Sequence, residues 1–234
     1  EDEEKIYPRI SRRGLLDGIL VQAGQPDARM MEYLATSRVP NVILGRPFMP
    51  EGANYVDVDN VSAAANATRH LIKLGYKRVA TITGERDSAA AVDRLEGYKQ
   101  ALKNAGRSID PSLIVEGDFT EPGGYAAMQK LLAAKPDAVF ASSDITAVGA
   151  MDAVLGAGLR IPEDIAFVGF DDVPIATMGK IKLTTIRRPI LQFGIKAVEL
   201  LIDVINNGKK PARRITIETE LIIRESCGAL KMGA

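Results

Sequence analysis

The chain has 234 residues, 46% of them hydrophobic and 5% aromatic, which is enough to bury the core of one large or two small domains without covalent staples. Thirty basic and thirty acidic residues cancel, so no net field draws this segment to nucleic acid or to an anionic membrane. Cys227 is the single cysteine and rules out an internal disulfide, no apolar stretch has the length of a bilayer span, and the start EDEEKIYPRISRRG lacks the apolar region of a signal peptide, all of which fits a cytoplasmic chain.

In chain order, DGILVQ (17–22) reads as a strand, PDARMMEYLATS as a helix, VPNVILG as a strand and NYVDVD as a further short strand. VSAAANATRHLIKLG is a long helix closed by Gly75, KRVATITG a buried strand, and VDRLEGYKQALKNAG a helix ending at Gly106. SLIVEGDF is a strand and EPGGYAAMQKLLAA a helix. The run 137–172 then reads as strand (AVFAS), helix (ITAVGAMDAVLG) and strand (IAFVGF), a parallel crossover. LTTI is a strand, PILQFGIKAVELLIDVINNG a long helix, and RITIETELIIRES a strand pair or one bent strand. Repeated βα units with short connections predict a doubly wound α/β architecture. Three segments suit crossings between two lobes: Val58 to Asn60, Arg187 to Ile190, and Gly208 to Ala212. No βα unit precedes Asp17, so the first sheet has few strands and an apolar edge, and sequence upstream of this chain is expected.

Parallel sheets bind ligands beyond the carboxyl ends of their strands, and the polar residues at those ends are the candidates. They are Asp57 to Asn60, Gly84 to Ser88, Ser143-Asp144 and Asp171-Asp172. Asp144 opens a helix and suits either an N-cap or a ligand contact, whereas Asp171 precedes Val173-Pro174, where no clear helix begins, and suits a ligand. Arg94 reaches back over the strand ends or pairs with Asp93 or Glu96 on the surface. Phe119 is core or a stacking wall. The lone histidine, His70, lies within a helix, and the glycines of GAMDAVLGAG suit close helix packing. No metal-ligand spacing, phosphate loop or dinucleotide fingerprint is present, so neither metal nor cofactor is expected. A hydrolase built on Asp57, Asp59, Asp144 and Asp171 has no neighbouring Lys, His or nucleophile pattern to support it.

VDVDNVSAAANATRHLIKLGYKRVATITG resembles the crossover segment of the LacI/GalR family of bacterial transcription regulators, and the likeness runs on through RLEGYKQAL, IVEGDFTEPGGYAAMQKLL, PDAVFASSDITAVGAMDAVLGAGLRIPEDIAFVGFDD and LTTIRRP to ELIIRES. The resemblance implies a periplasmic-binding-protein-like type I fold of two lobes with three hinge crossings and a small effector, most simply a sugar, held in the cleft between them. On that pattern residues 1–58 and 190–208 form an incomplete N-terminal lobe, and 59–189 and 209–227 the C-terminal lobe. It implies that Arg94, Asp171, Phe119, Ser143 and Ser88 contact the ligand and that Asp59, Asn60 and Arg188 are hinge residues, with Asp144 reverting to a helix cap. Arg94 and Asp171 are each expected to be removable with loss of effector but not of the fold. Partners implied are a second copy of the chain, through helix 189–207 or helix 26–36, and operator DNA, through a helix-turn-helix domain outside this sequence; a membrane is not among them. The runner-up is a periplasmic sugar-binding protein of a transporter, which has the same fold.

Overall fold

The computed structural model describes residues 16–22, 34, 39–48, 51–207 and 211–232. Its contacts divide into two compact units, the first formed by Glu1–Val58, Asp87–Ala89 and Pro189–Ile217, the second by Asp59–Arg86, Ala90–Arg188 and Glu218–Ala234.

In the first unit, strands β1 (Ile19–Gln22), β2 (Asn41–Leu44), β3 (Tyr55–Val58) and β9 (Arg214–Ile217) form a parallel sheet in the order β1-β2-β3-β9. Helix α6 (Ile190–Asn207) packs on it through Phe193, Ala197 and Leu200, spaced as one helical stripe. A second stripe of α6, Leu191, Ile195, Val198 and Ile202, is exposed. The expected helix over 26–37 and the charged start of the chain lie outside the described residues, apart from Leu34, which is helical and buried.

The second unit holds six strands in the order β10-β8-β7-β6-β4-β5. They are β4 (Val79–Thr83), β5 (Ile114–Glu116), β6 (Ala138–Ala141), β7 (Ala166–Asp171), β8 (Thr184–Arg187) and β10 (Glu220–Ile222). Every residue of β4 and β6 is buried, as an unbroken apolar run in a sheet covered on both faces requires. Helices α1 (Asn60–Lys73), α2 (Ala89–Asn104), α3 (Glu121–Leu132), α4 (Asp144–Gly156), α5 (Ile175–Met178) and α7 (Ala229–Met232) complete the described elements, with a 3-10 turn at Pro111–Leu113. Gly75 and Gly106 have φ of +93° and +69°, the left-handed geometry that lets a glycine end a helix without a Cβ clash.

Helices α3 and α4 touch backbone to backbone: a Cβ on Gly149 would fall on the Glu121 carbonyl, and one on Gly124 on that of Thr146. The packing role expected of Gly149 in GAMDAVLGAG is thus visible. Beneath these helices, Phe167, Met128, Leu131, Ile82 and Val154 belong to one buried apolar cluster.

Three expectations require correction. RITIETELIIRES is two strands in two different sheets: β9 runs parallel to β3 in the first unit, and β10 runs antiparallel to β8 in the second. The third crossing therefore falls at Ile217-Glu218, not within Gly208 to Ala212, and residues 211–217 join the first unit. Pairing with Tyr55 to Val58 decides this, because β3 has one edge open that β9 fills. Last, a short helix, α5, does begin directly after Val173-Pro174, with Pro174 at its N-cap supplying no side-chain bond.

Candidate functional site

The order of the second sheet reverses at β4, with β5 on one side and β6, β7 and β8 on the other, so the carboxyl ends of β4 and β6 flank a switch point. Arg94, from the second turn of α2, lies across it and is only 5% exposed. Its Nε donates to Asn60 Oδ1 at 2.8 Å, and one terminal nitrogen donates to the Ser142 carbonyl just past β6 at 2.5 Å. The guanidinium stands 3.6 Å from the centre of the Phe170 ring. A buried cation is tolerable only when paired and hydrogen-bonded, and these contacts supply an acceptor on either side and a π-face. Arg94 thus ties α1, α2, β6 and β7 together. Its removal is therefore expected to cost stability as well as ligand binding.

Asp171 closes β7 in a backbone conformation that L-residues rarely adopt, φ +111°, and Asp172 follows at φ +58°. The Asp171 carboxylate is between two arginines: Oδ1 is 3.8 Å from an Arg94 terminal nitrogen and 3.3 Å from Arg188 Nε. Neither contact has hydrogen-bond geometry, and among the described residues Oδ1 receives no hydrogen bond. Asp172 is bound tightly instead, accepting from Arg187 Nε at 2.7 Å and an Arg224 terminal nitrogen at 2.5 Å. Its carboxyl is held below the ordinary range because these hydrogen bonds and the two positive charges outweigh burial, the largest single influence, which acts the other way.

Ser143 takes the cap role expected of Asp144, and Asp144 takes neither of the roles expected of the pair. Ser143 is the N-cap of α4, its Oγ accepting from Thr146 N at 3.1 Å and donating to Thr146 Oγ1 at 2.9 Å. Asp144 is the first helical residue and has no exposed surface. Its Oδ1 accepts from the Thr185 hydroxyl at 2.5 Å and its Oδ2 from Val173 N at 2.9 Å. Burial pushes its carboxyl up to about 7, against the two hydrogen bonds that favour the ion, and the charges of Asp171 and Asp172 add to the rise. It is a buried bridge and not a carboxylate facing Asp171 across a site.

Phe119 follows β5 with φ +60°, half-buried, and its ring lies against Gly84 at the end of β4, where a Cβ would strike it. Arg94, Asp171, Arg188, Asn60 and Phe119 therefore line the carboxyl edge of one sheet. Asn60 was expected at a hinge; it also orients Arg94, a contact across 34 residues that spacing does not reveal. Asp59 is exposed and caps α1 by accepting from Ser62 N at 2.9 Å. Ser88 is buried in the turn before α2 and groups with the first unit. Asp57, also in the first unit, accepts from Arg46 N at 2.8 Å and from Val58 N at 2.7 Å, which fixes the end of β3. His70 is half-buried with Nε2 3.4 Å from Cys227 Sγ; burial, then the Lys73 charge, lowers its pKa. Phe170 and Thr185 read in the sequence only as strand residues, and no local signal marks their contacts with Arg94 and Asp144.

A family model described as a periplasmic binding protein-like domain matches residues 68–227. The chain is 40% identical to the HTH-type transcriptional regulator CelR of Thermobifida fusca over 90% of this chain and 63% of that protein. It is 34% identical to the HTH-type transcriptional repressor CytR of Escherichia coli K12, over 97% and 67%. This chain belongs to the LacI/GalR family, as a periplasmic-binding-protein-like domain. Among solved structures, a complex of the transcriptional regulator CelR with cellobiose superposes with a TM-score of 0.91 at 37% identity, covering 96% of this chain and 70% of that one. A LacI family regulator from Enterococcus faecium with bound ribose gives 0.85 at 27% identity, over 96% and 84%. The relatives are transcription regulators and not enzymes, and the chain spans about two thirds of the length of the two named first. No helix among the described residues is long and apolar enough to cross a membrane.

Proposed function

We propose that this chain is the effector-sensing part of a DNA-binding transcription regulator and that the carboxyl edge of its six-stranded sheet contacts a neutral sugar. The observation that carries the reading is Asp171: a carboxylate oxygen in a left-handed strand end, beside two guanidinium groups, with no hydrogen bond donated to it among the described residues. A sugar hydroxyl that reaches this oxygen, itself buried between the arginines, supplies the missing donor, and hydroxyl oxygens accept from the neighbouring guanidinium groups. Phe119, against the end of β4, is two strands from Asp171 on β7, or about 10 Å by ordinary strand spacing, a distance suited to a ligand of more than one ring. The regulator with cellobiose bound, a two-ring sugar, is also the better superposed of the two complexes named above. Ser143 and Ser88 have weaker support as contacts, since the first is engaged in a helix cap and the second belongs to the other unit.

Titration calorimetry with cellobiose and ribose tests this reading. Saturable binding of cellobiose is expected; absence of binding by any neutral sugar would overturn it.

Self-association is proposed for the exposed stripe of α6. Leu191, Ile195, Val198 and Ile202 recur at intervals of four, three and four, the spacing of a seam between helices, and Leu191 is 80% exposed. Sedimentation velocity is expected to give a dimer, and Leu191→Glu a monomer, since a charge would be buried without a partner. A wild-type monomer at micromolar concentration would remove the proposal. Operator binding is proposed for the whole regulator, on the names of the relatives.

A further inference from the structure

Asp144 occupies a position that neither helix start nor strand packing requires. The helix start is already capped by Ser143. Carboxylates are costly to bury, and this one has no exposed surface, yet each of its oxygens has a donor drawn from a different element. Thr185 lies within β8; Val173 is the first residue after the two with positive φ, Asp171 and Asp172. Room for the group is made by Gly169 in β7, where an added Cβ would fall on Asp144 Oδ1.

We propose that Asp144 is the positioning residue of this site: by tying the Val173 amide to β8 it holds the turn in which Asp171 takes its left-handed backbone beside Arg94 and Arg188. The strain at Asp171 and Asp172 must be compensated by contacts that over-determine the turn. Asp172 is held from one side by Arg187 and Arg224, and Val173 from the other by Asp144, so the carboxylate of Asp171 is aimed by its two neighbours. Arg188 N also donates to the Asp171 carbonyl at 3.2 Å, which fixes the chain against β8 on the same edge. An amide in place of the carboxyl can keep the bridge, its oxygen accepting from Val173 and its nitrogen donating to the Thr185 oxygen.

The inference rests on Asp171 as a sugar contact, so the test has one arm that needs no sugar. Amide hydrogen exchange at Val173, followed by NMR, reads the turn directly; cellobiose calorimetry reads its consequence. In Asp144→Ala, exchange at the Val173 amide is expected to rise about tenfold and cellobiose affinity to fall about tenfold. Asp144→Asn is expected to restore both to within about threefold of wild type. A residue that only stabilised the fold would lower the melting temperature while leaving the affinity of the folded protein unchanged. Wild-type exchange and affinity in Asp144→Ala would overturn the proposal, as would a folded Asp144→Asn as defective as the Ala variant. Should the Ala variant fail to fold, Thr185→Val, which removes one anchor, must speed exchange at Val173 about threefold, and an unchanged rate would overturn it equally. If wild type binds no cellobiose, the ligand reading fails, while exchange still decides whether Asp144 holds the turn.

Discussion

Replacing Arg94 with Ala is expected to weaken sugar binding about a hundredfold and to destabilise the second unit by about 3 kcal/mol, because a buried charged hub is lost with all its contacts. The Asn60 oxygen and the Ser142 carbonyl would each lose a donor in a nearly dry setting, and the Phe170 ring its stacked cation. Asp171 would keep only Arg188 nearby. Lys at this position retains charge but not the planar fork that reaches Asn60 and Ser142 at once, so Arg94→Lys should recover stability only in part. Asp171→Asn provides the contrast. Its side chain is 16% exposed and its Oδ1 accepts nothing among the described residues, so binding should fall about tenfold with stability within about 0.5 kcal/mol of wild type. Calorimetry with cellobiose and urea unfolding on the same preparations separate the two effects. Wild-type affinity in a folded Arg94→Ala protein would remove Arg94 from the site.

Much of this arrangement was legible in the sequence, for identifiable reasons. Strands such as VATIT and AVFA announce themselves because both faces are covered and the apolar run is unbroken, and glycines 75 and 106 mark helix ends because few other residues accept a positive φ there. Polar residues at strand ends were legible for the same topological reason, and so were Arg94 and Asp171 as candidates. What spacing cannot carry is contact across distant segments. Asn60 and Arg94 are 34 residues apart, and Asp144 and Thr185 are 41 apart. Nor does the pair Ser143-Asp144 say which member caps: both residue types are good N-caps, and the choice follows from Thr185 and Val173, which draw the aspartate into the interior. RITIETELIIRES was legible as one strand or two, but not its division between two sheets. Its alternation is that of a strand throughout, and only pairing with β3 on one side and β8 on the other divides it.

The pH dependence of stability should reveal Asp144 as well, with a sign opposite to that of most carboxylates. Its folded pKa is raised to about 7, chiefly by burial, so between the ordinary carboxylate value and that point the folded state holds a proton that the unfolded state has released. Stability from this group is therefore complete below about pH 4 and is lost as the pH rises to about 7, beyond which it changes no further. Asp172 works the other way: hydrogen bonds and charge from Arg224 and Arg187 lower its pKa despite burial, so its contribution is present above the ordinary value and lost in acid. His70, lowered by burial and by Lys73, likewise favours the folded state more as the pH rises through its range. The charged groups that act on Asp144 are Asp171 and Asp172 on the β7 turn, and these are themselves paired, Asp171 with Arg94 and Arg188 and Asp172 with Arg187 and Arg224. Subtraction isolates the one group. In Asp144→Asn the amide cannot ionise, so its unfolding free energy relative to wild type should climb between about pH 4 and about pH 7, by on the order of a few kcal/mol, and then level off. Urea unfolding at a series of pH values measures that difference, with His70→Asn as a background to remove the histidine. Parallel pH profiles for the wild type and Asp144→Asn would mean that Asp144 titrates like an exposed carboxyl, and its buried bridge to Val173 and Thr185 would have to be abandoned.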